Sequence, residues 1–222
     1  MQLSLSLEDL AGYVAAQLNN FFPDGREVAA RDIRKAVGVT VERVDYCFKH
    51  SSSGRYATKG TTIFNHLYSD HYVVFLWMLS STIWRETGPD QITDKLYCLN
   101  KMLHGLNCMY DAGLPDIFLL FHTVGTVLGK AEYSDYFVAL HGCTVGSHNG
   151  KYPVLGKGVA MAANSALIGN CKIGDRVSIG THTTVFQKDI PSDSSVYINE
   201  GEQQVVRLTE KSYAQSFFNV KI

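Results

Sequence analysis

The chain has 222 residues, of which 45% are hydrophobic and 18% charged, and a formal net charge of −1 at neutral pH. That length and apolar content suit one or two domains with an adequate core, and the lack of a basic surplus argues against a nucleic-acid partner. Five cysteines, an odd number without a CxxC pair, read as reduced thiols of a cytoplasmic protein rather than a disulfide framework.

The opening MQLSLSLEDL carries acidic residues where an export signal needs an apolar run, so no leader is expected. Ser6 caps a predicted first helix that carries Leu10, Val14, Leu18 and Phe21 at helical spacing and stops before Pro23. A second helix is expected from about Arg26 to Lys49, with Gly38 as a candidate break. SSSGRYATKG, Ser51 to Gly60, reads as a loop. A third helix is expected from Ile63 to Arg85, ending before Gly88-Pro89. Its stretch Tyr72 to Trp84 is the most apolar of the chain but too short to cross a bilayer, so no membrane contact is expected. Ile92, Leu96, Leu99, Leu103 and Leu106 mark a fourth helix.

The second half has a different period. Leu155, Met161, Leu167, Ile173, Ile179 and Val185 stand six residues apart without a gap. Val159, Ser165, Cys171, Val177 and Thr183, all small or β-branched, follow four residues after the first five of them. Neither a helix nor an alternating strand has a period of six. A triangular parallel β-helix has it. Each six-residue unit is one short strand and a turn, and the lead apolar residue of each unit stacks on its copy one coil away. Upstream the repeat is looser, and GSHNGKY, Gly146 to Tyr152, breaks the phase as a protruding loop would.

These segments resemble the serine acetyltransferases of the hexapeptide-repeat superfamily. FHTVGTVLG, Phe121 to Gly129, is similar to their DHATGVVIG-type segment. LHGCTVGS, Leu140 to Ser147, resembles the strand and turn before their protruding loop. Tyr152 to Pro191 follows their hexapeptide pattern throughout. The resemblance covers residues 90 to 195 and departs from the family in a shorter protruding loop and at three sets of residues. Phe121 stands where the family has Asp before the histidine, Lys151-Tyr152 stands where it has Arg-His, and Asn107 occupies the offset of its catalytic Asp.

The resemblance implies an α+β chain: an α-helical domain over 1–106, a left-handed parallel β-helix over 107–200, and a tail over 201–222. It implies an acetyl-CoA-dependent O-acetyltransferase with a small-molecule acceptor and no metal. His122 would be the general base, because neutral imidazole accepts a proton near working pH. Asp116 or Asp111 is the expected orienting group. His141 is either a second site residue or an ordinary strand histidine. Ala162, Ala163, Gly180 and Thr181 match the small positions along which the family's CoA lies, in a groove between protomers. Lys188 is a CoA-phosphate contact or a solvated lysine. His148, Lys151 and Tyr152 are the expected acceptor contacts, and a homotrimer or a dimer of trimers is the expected assembly. The acceptor stays open between serine, or a related hydroxyl compound, and a sugar or sugar nucleotide of surface-polysaccharide synthesis, on whose ring Tyr152 would stack.

Overall fold

The computed structural model describes residues 1–202 and 204–222. A short strand β1 (Gln2–Leu3) leads into helix α1 (Leu7–Phe21), whose first turn is closed by the Ser6 hydroxyl accepting the Asp9 N–H at 3.1 Å. Helix α2 (Ala30–Phe48) runs unbroken through Gly38. The segment expected as loop contains strand β2 (Ala57–Thr58), which pairs antiparallel with β3 (Thr61–Phe64), and β1 adds to β3 in parallel. Ile63 is therefore a strand residue, and helix α3 (Ser69–Thr87) begins six residues later than its apolar pattern suggests. Helix α4 (Gln91–His104) starts at an Asp90–Thr93 capping box and ends at Gly105 with φ 66°. Apart from its flanks, α3 is buried nearly all round, as expected of a central helix. Among the described residues no helix is long and apolar enough to cross a membrane.

From Phe118 to Ile198 the chain is a parallel β-helix, as the period of six requires. Its first face stacks β4 (Phe118–Leu120), β6 (Phe137–Ala139), β9 (Ala160–Met161), β12 (Ser178–Ile179) and β14 (Ser194–Ile198). The second face stacks β5 (Val127–Leu128), β7 (Thr144–Gly146), β10 (Ala166–Ile168) and β13 (Thr184–Phe186). The third holds β8 (Val154–Leu155) and β11 (Lys172–Ile173), extended by single bridges at Glu132 and Ile190. Registers of 166↔184, 154↔172 and 160↔178 make each regular coil eighteen residues long.

Each face sends one apolar column inward. Leu120, Ala139, Met161, Ile179 and Val196 form the first, and Leu128, Val145, Leu167 and Val185 the second. All are at most 1% exposed. The small residues four positions after the leads, such as Ser165 and Thr183, are buried at 0%. A large side chain at these corners would have no room inside the triangular coil.

Helical and β-helical parts share one core. The Cys47 thiol of α2 donates to the Phe118 carbonyl at 3.0 Å, and its burial pushes the thiol pKa up to about 12. The Trp77 indole N–H of α3 donates to the Met109 carbonyl at 3.0 Å, and its ring meets Phe118 edge-on. The tail adds β15 (Gln204–Leu208) antiparallel to β14. It then returns to the helices, where the Ser52 N–H donates to the Phe217 carbonyl at 2.9 Å and the Phe217 ring packs on Phe121.

The spacing between coils leaves little room at Gly174, where a methyl group would run into the Ser192 backbone of the next coil. Gly12, on α1, has nothing within 4 Å of that position. Gly174→Ala is expected to cost about 1–3 kcal/mol through overpacking, and Gly12→Ala to gain about 0.5–1 kcal/mol from helix propensity. Urea denaturation of both variants, giving shifts of opposite sign, checks the coil packing.

Candidate functional site

Each coil turns at three corners, and the corners sort the candidate residues. At the first corner, between the first and second faces, the Gly142 N–H donates to the Val124 carbonyl at 3.0 Å. Asn164 then donates to His141 at 2.9 Å, and His182 to Ala163 at 3.0 Å. This ladder places His141, Ala163 and Thr181 at successive levels of one edge, with Ala162 and Gly180 beside them. His122 is at the same corner of the first coil. His122, His141 and Thr181 are exposed, and Ala162, Ala163 and Gly180 half-buried. The left-handed position recurs at each level: Gly125, Gly142, Asn164 and His182 have φ of 75°, 65°, 59° and 57°. Glycine and asparagine carry that conformation at small cost.

The first-coil corner is longer than its copies. Leu120 pairs with Ala139 and Val127 with Thr144, so seven steps in the first coil match five in the second. His122 occupies this extension with φ 54°, a left-handed conformation uncommon outside glycine. The extension is wedged between two helix ends. The Thr123 hydroxyl donates to the His104 carbonyl at 2.9 Å at the end of α4, and Gly105 lies so close that a methyl there would sit 3.1 Å from Val124 Cα. At the start of α3, the Asp70 carboxylate accepts the His122 backbone N–H at 3.0 Å.

His148, Lys151 and Tyr152 belong to the second corner, in the protruding loop. His148 and Lys151 exchange both backbone hydrogen bonds at 3.0 Å across Asn149-Gly150, whose φ of 48° and 69° are those of a tight hairpin turn. The His148 ring packs on Phe186 with centroids 4.9 Å apart, and Lys151 and Tyr152 are exposed. Lys188 is exposed at the second corner of the last coil, its ammonium 3.3 Å from Gln204 Oε1.

Asp116 is not brought to His122. It lies before β4, at the third corner, beside Arg43 and Arg85 in a cleft of about 410 Å³, while His122 follows that strand. Asp111 forms an ion pair with Lys130 at 3.6 Å. Asn107, at the offset of the family's catalytic Asp, accepts the Tyr97 hydroxyl at 2.7 Å. The carboxylate at the His122 corner is that of Asp70, which sequence reasoning missed. With α3 read from Ile63, Asp70 fell inside a helix, and only the true start at Ser69 puts it in the first turn.

Two further histidines lie around this junction. His71, 1% exposed, accepts the Asn65 N–H on Nδ1 at 3.2 Å. Its Nε2 has no hydrogen-bond partner among the described residues, and the ring lies among those of Phe48, Tyr56 and Tyr68. Burial lowers its pKa to about 4. His104, whose Nδ1 is 2.7 Å from Asn100 Oδ1, is also lowered to about 4, mainly by burial, against the raising effects of the Asn100 backbone and of the Asp70 charge. Both imidazoles are neutral at working pH. Among the described residues no group of three or more His, Cys, Asp or Glu is placed to hold a metal.

No protein-family model matches the chain. A serine acetyltransferase of Synechococcus elongatus is 33% identical over 103 residues, 44% of this chain and 42% of that protein. The match thus spans less than half the length of that curated relative. Serine acetyltransferase from Neisseria gonorrhoeae has the same fold, with a TM-score of 0.70 at 19% identity, over 98% of this chain and 86% of that one. A serine acetyltransferase structure described as a complex with CoA matches at a TM-score of 0.65 and 14% identity, over 90% of this chain and 85% of the other. The chain is thus serine acetyltransferase-like in its matched segment and, along nearly its whole length, in fold.

The buried His71 sets a pH dependence. Its folded-state pKa of about 4 lies below the ordinary 6.5, so the unfolded chain takes up a proton that the fold resists. The stability from the neutral ring is complete above pH about 6.5 and is lost as pH falls toward 4, on the order of 3 kcal/mol in all. Urea midpoints measured from pH 7 to 4 are expected to fall, and to fall less steeply in His71→Phe.

Proposed function

We propose that the chain is an acetyl-CoA-dependent O-acetyltransferase acting on a small hydroxyl acceptor, with His122 as general base. The observation that carries this reading is the exposed His122 on the same β-helix edge as Ala162, Ala163, Gly180 and Thr181. Small side chains let an extended pantetheine arm approach the backbone, and the imidazole then stands at one end of that track. The acceptor hydroxyl oxygen attacks the thioester carbonyl carbon while His122 removes the hydroxyl proton. Collapse of the tetrahedral intermediate breaks the C–S bond, and the imidazolium returns its proton to the departing CoA thiolate. Backbone N–H groups at the corner supply the oxyanion's donors. The CoA complex known for this fold supports the cofactor.

The acceptor contacts His148, Lys151 and Tyr152 belong to a different corner from His122, so the reading needs a neighbouring copy to bring a second corner to the first. Exposed apolar side chains on the outer faces, Val127, Val154 and Phe186, support such packing. It gives the trimer, or pair of trimers, its role: each site is shared by two copies. Serine is the acceptor favoured by the relatives. A sugar is the second reading, favoured by Tyr152, which is 46% exposed beside Lys151 and free to stack on a ring.

Thiol release from acetyl-CoA, measured against L-serine, other hydroxy amino acids and amino or deoxy sugars, tests the activity and identifies the acceptor. His122→Ala is expected to lower turnover by about a hundred- to ten-thousand-fold and leave CoA affinity within about twofold by calorimetry. Retained turnover removes His122 from the role. Tyr152→His is expected to raise activity on serine if the present acceptor is a sugar.

A further inference from the structure

We infer that Asp70 is a positioning residue for the His122 corner, holding the backbone that presents the imidazole. The inference rests on the reading of His122 as the base. Asp70 is 2% exposed, and no cation is paired with its carboxylate among the described residues. One oxygen accepts the His122 N–H at 3.0 Å and the other the Tyr68 hydroxyl at 3.3 Å. A carboxylate in the first turn of a nineteen-residue helix is favoured by the positive end of the helix dipole.

Asp70 does not cap its own helix. The cap position of α3 is Tyr68, without a side-chain bond to the helix N–H groups; one Asp70 oxygen accepts the Tyr68 hydroxyl and the other reaches across to the first coil. The recipient is the backbone of the residue that needs help. His122 lies in the two-residue extension, where its copies' ladder does not apply, and has φ 54°. The neighbouring N–H of Phe121 joins the coil ladder, donating to Ala139 at 3.0 Å, and that of Val124 turns back on the His122 carbonyl. The His122 N–H goes outside the coil, to Asp70. A bond from an amide to a carboxylate is among the stronger hydrogen bonds of a protein, and here it fixes a peptide plane that the β-helix leaves undetermined. Holding that plane sets the direction of the His122 Cα–Cβ bond, and with it the reach of the imidazole along the edge.

The test uses the full chain and two readouts. Hydrogen exchange followed by mass spectrometry reports on the segment 121–126, and steady-state thiol release separates kcat from KM. In Asp70→Ala the segment is expected to exchange at least tenfold faster, kcat to fall about a hundredfold, as for a misplacement of about 1 Å, and KM for acetyl-CoA to stay within twofold. Asp70→Asn, which keeps the shape and one acceptor oxygen, is expected to recover most of both. Asp70→Thr, which keeps the volume but withdraws the carboxylate, replaces alanine if the alanine variant does not fold. Unchanged exchange in the segment overturns the inference, as does faster exchange with kcat within threefold of the parent, or a loss confined to KM. If the parent protein turns over no acceptor, the proposed function fails, and exchange alone decides whether Asp70 holds the corner.

Discussion

The structure depends on one constraint: in a parallel β-helix every coil must return to the same place with the same backbone conformation. The ladder joining Leu167 to Val145 and Val185, and Met161 to Ala139 and Ile179, permits no drift in register. Each corner must therefore repeat its left-handed residue, and each face its inward apolar one. The same repetition aligns the outward positions of the corners. A row of small residues such as Ala163 and Thr181 follows from it as directly as the core does, and that row is the track on which the acyl-transfer reading rests.

Extra residues enter such a fold only where they leave the ladder intact, at corners. The Asn149-Gly150 hairpin and the two-residue lengthening around His122 are two such extensions. The first closes on itself through paired backbone bonds. The second turns locally, through the Val124 N–H on the His122 carbonyl and the Thr126 N–H on the Thr123 carbonyl, and leaves the His122 N–H to a partner outside the coil. It is stabilised from outside by the ends of α3 and α4, through Asp70, the His104 carbonyl and the close approach of Gly105. The helical domain thus has a local purpose beyond adding core: it fixes the irregular part of the first coil.

The junction is also where buried polar groups collect. Asp70, His71 and Tyr56 lie within one cluster of rings, and both the Tyr56 hydroxyl and His71 Nε2 lack hydrogen-bond partners among the described residues. Burial and the neighbouring Asp70 drive the Tyr56 hydroxyl pKa upward, so it stays protonated. Unpaired buried polar groups oppose folding, and this core retains them beside the corner that carries His122. Phe121, in the place of the family's aspartate, faces the same cluster, packed between Tyr56 and the Phe217 of the tail. The residue before the histidine is here an anchor to the core.

The sequence by itself determined the β-helix, its inward columns and the succession of four helices. Those features are set by local periodicity, and the steric demands that produce a period of six or of 3.6 act within a few residues. His122 and the small residues of the edge entered only through the resemblance to the serine acetyltransferases, which implied their roles. The sequence misread the start of α3, because apolar residues such as Ile63 look alike in a buried strand and a buried helix. It offered Asp116 or Asp111 as the orienting carboxylate because both residues are near His122 in sequence. Only the tertiary structure decided that Asp116 faces Arg43 at another corner, and that Asp70, fifty-two residues before His122, meets its backbone. A contact between elements so far apart is fixed by how α3 docks on the first coil, and no spacing within the chain encodes that geometry.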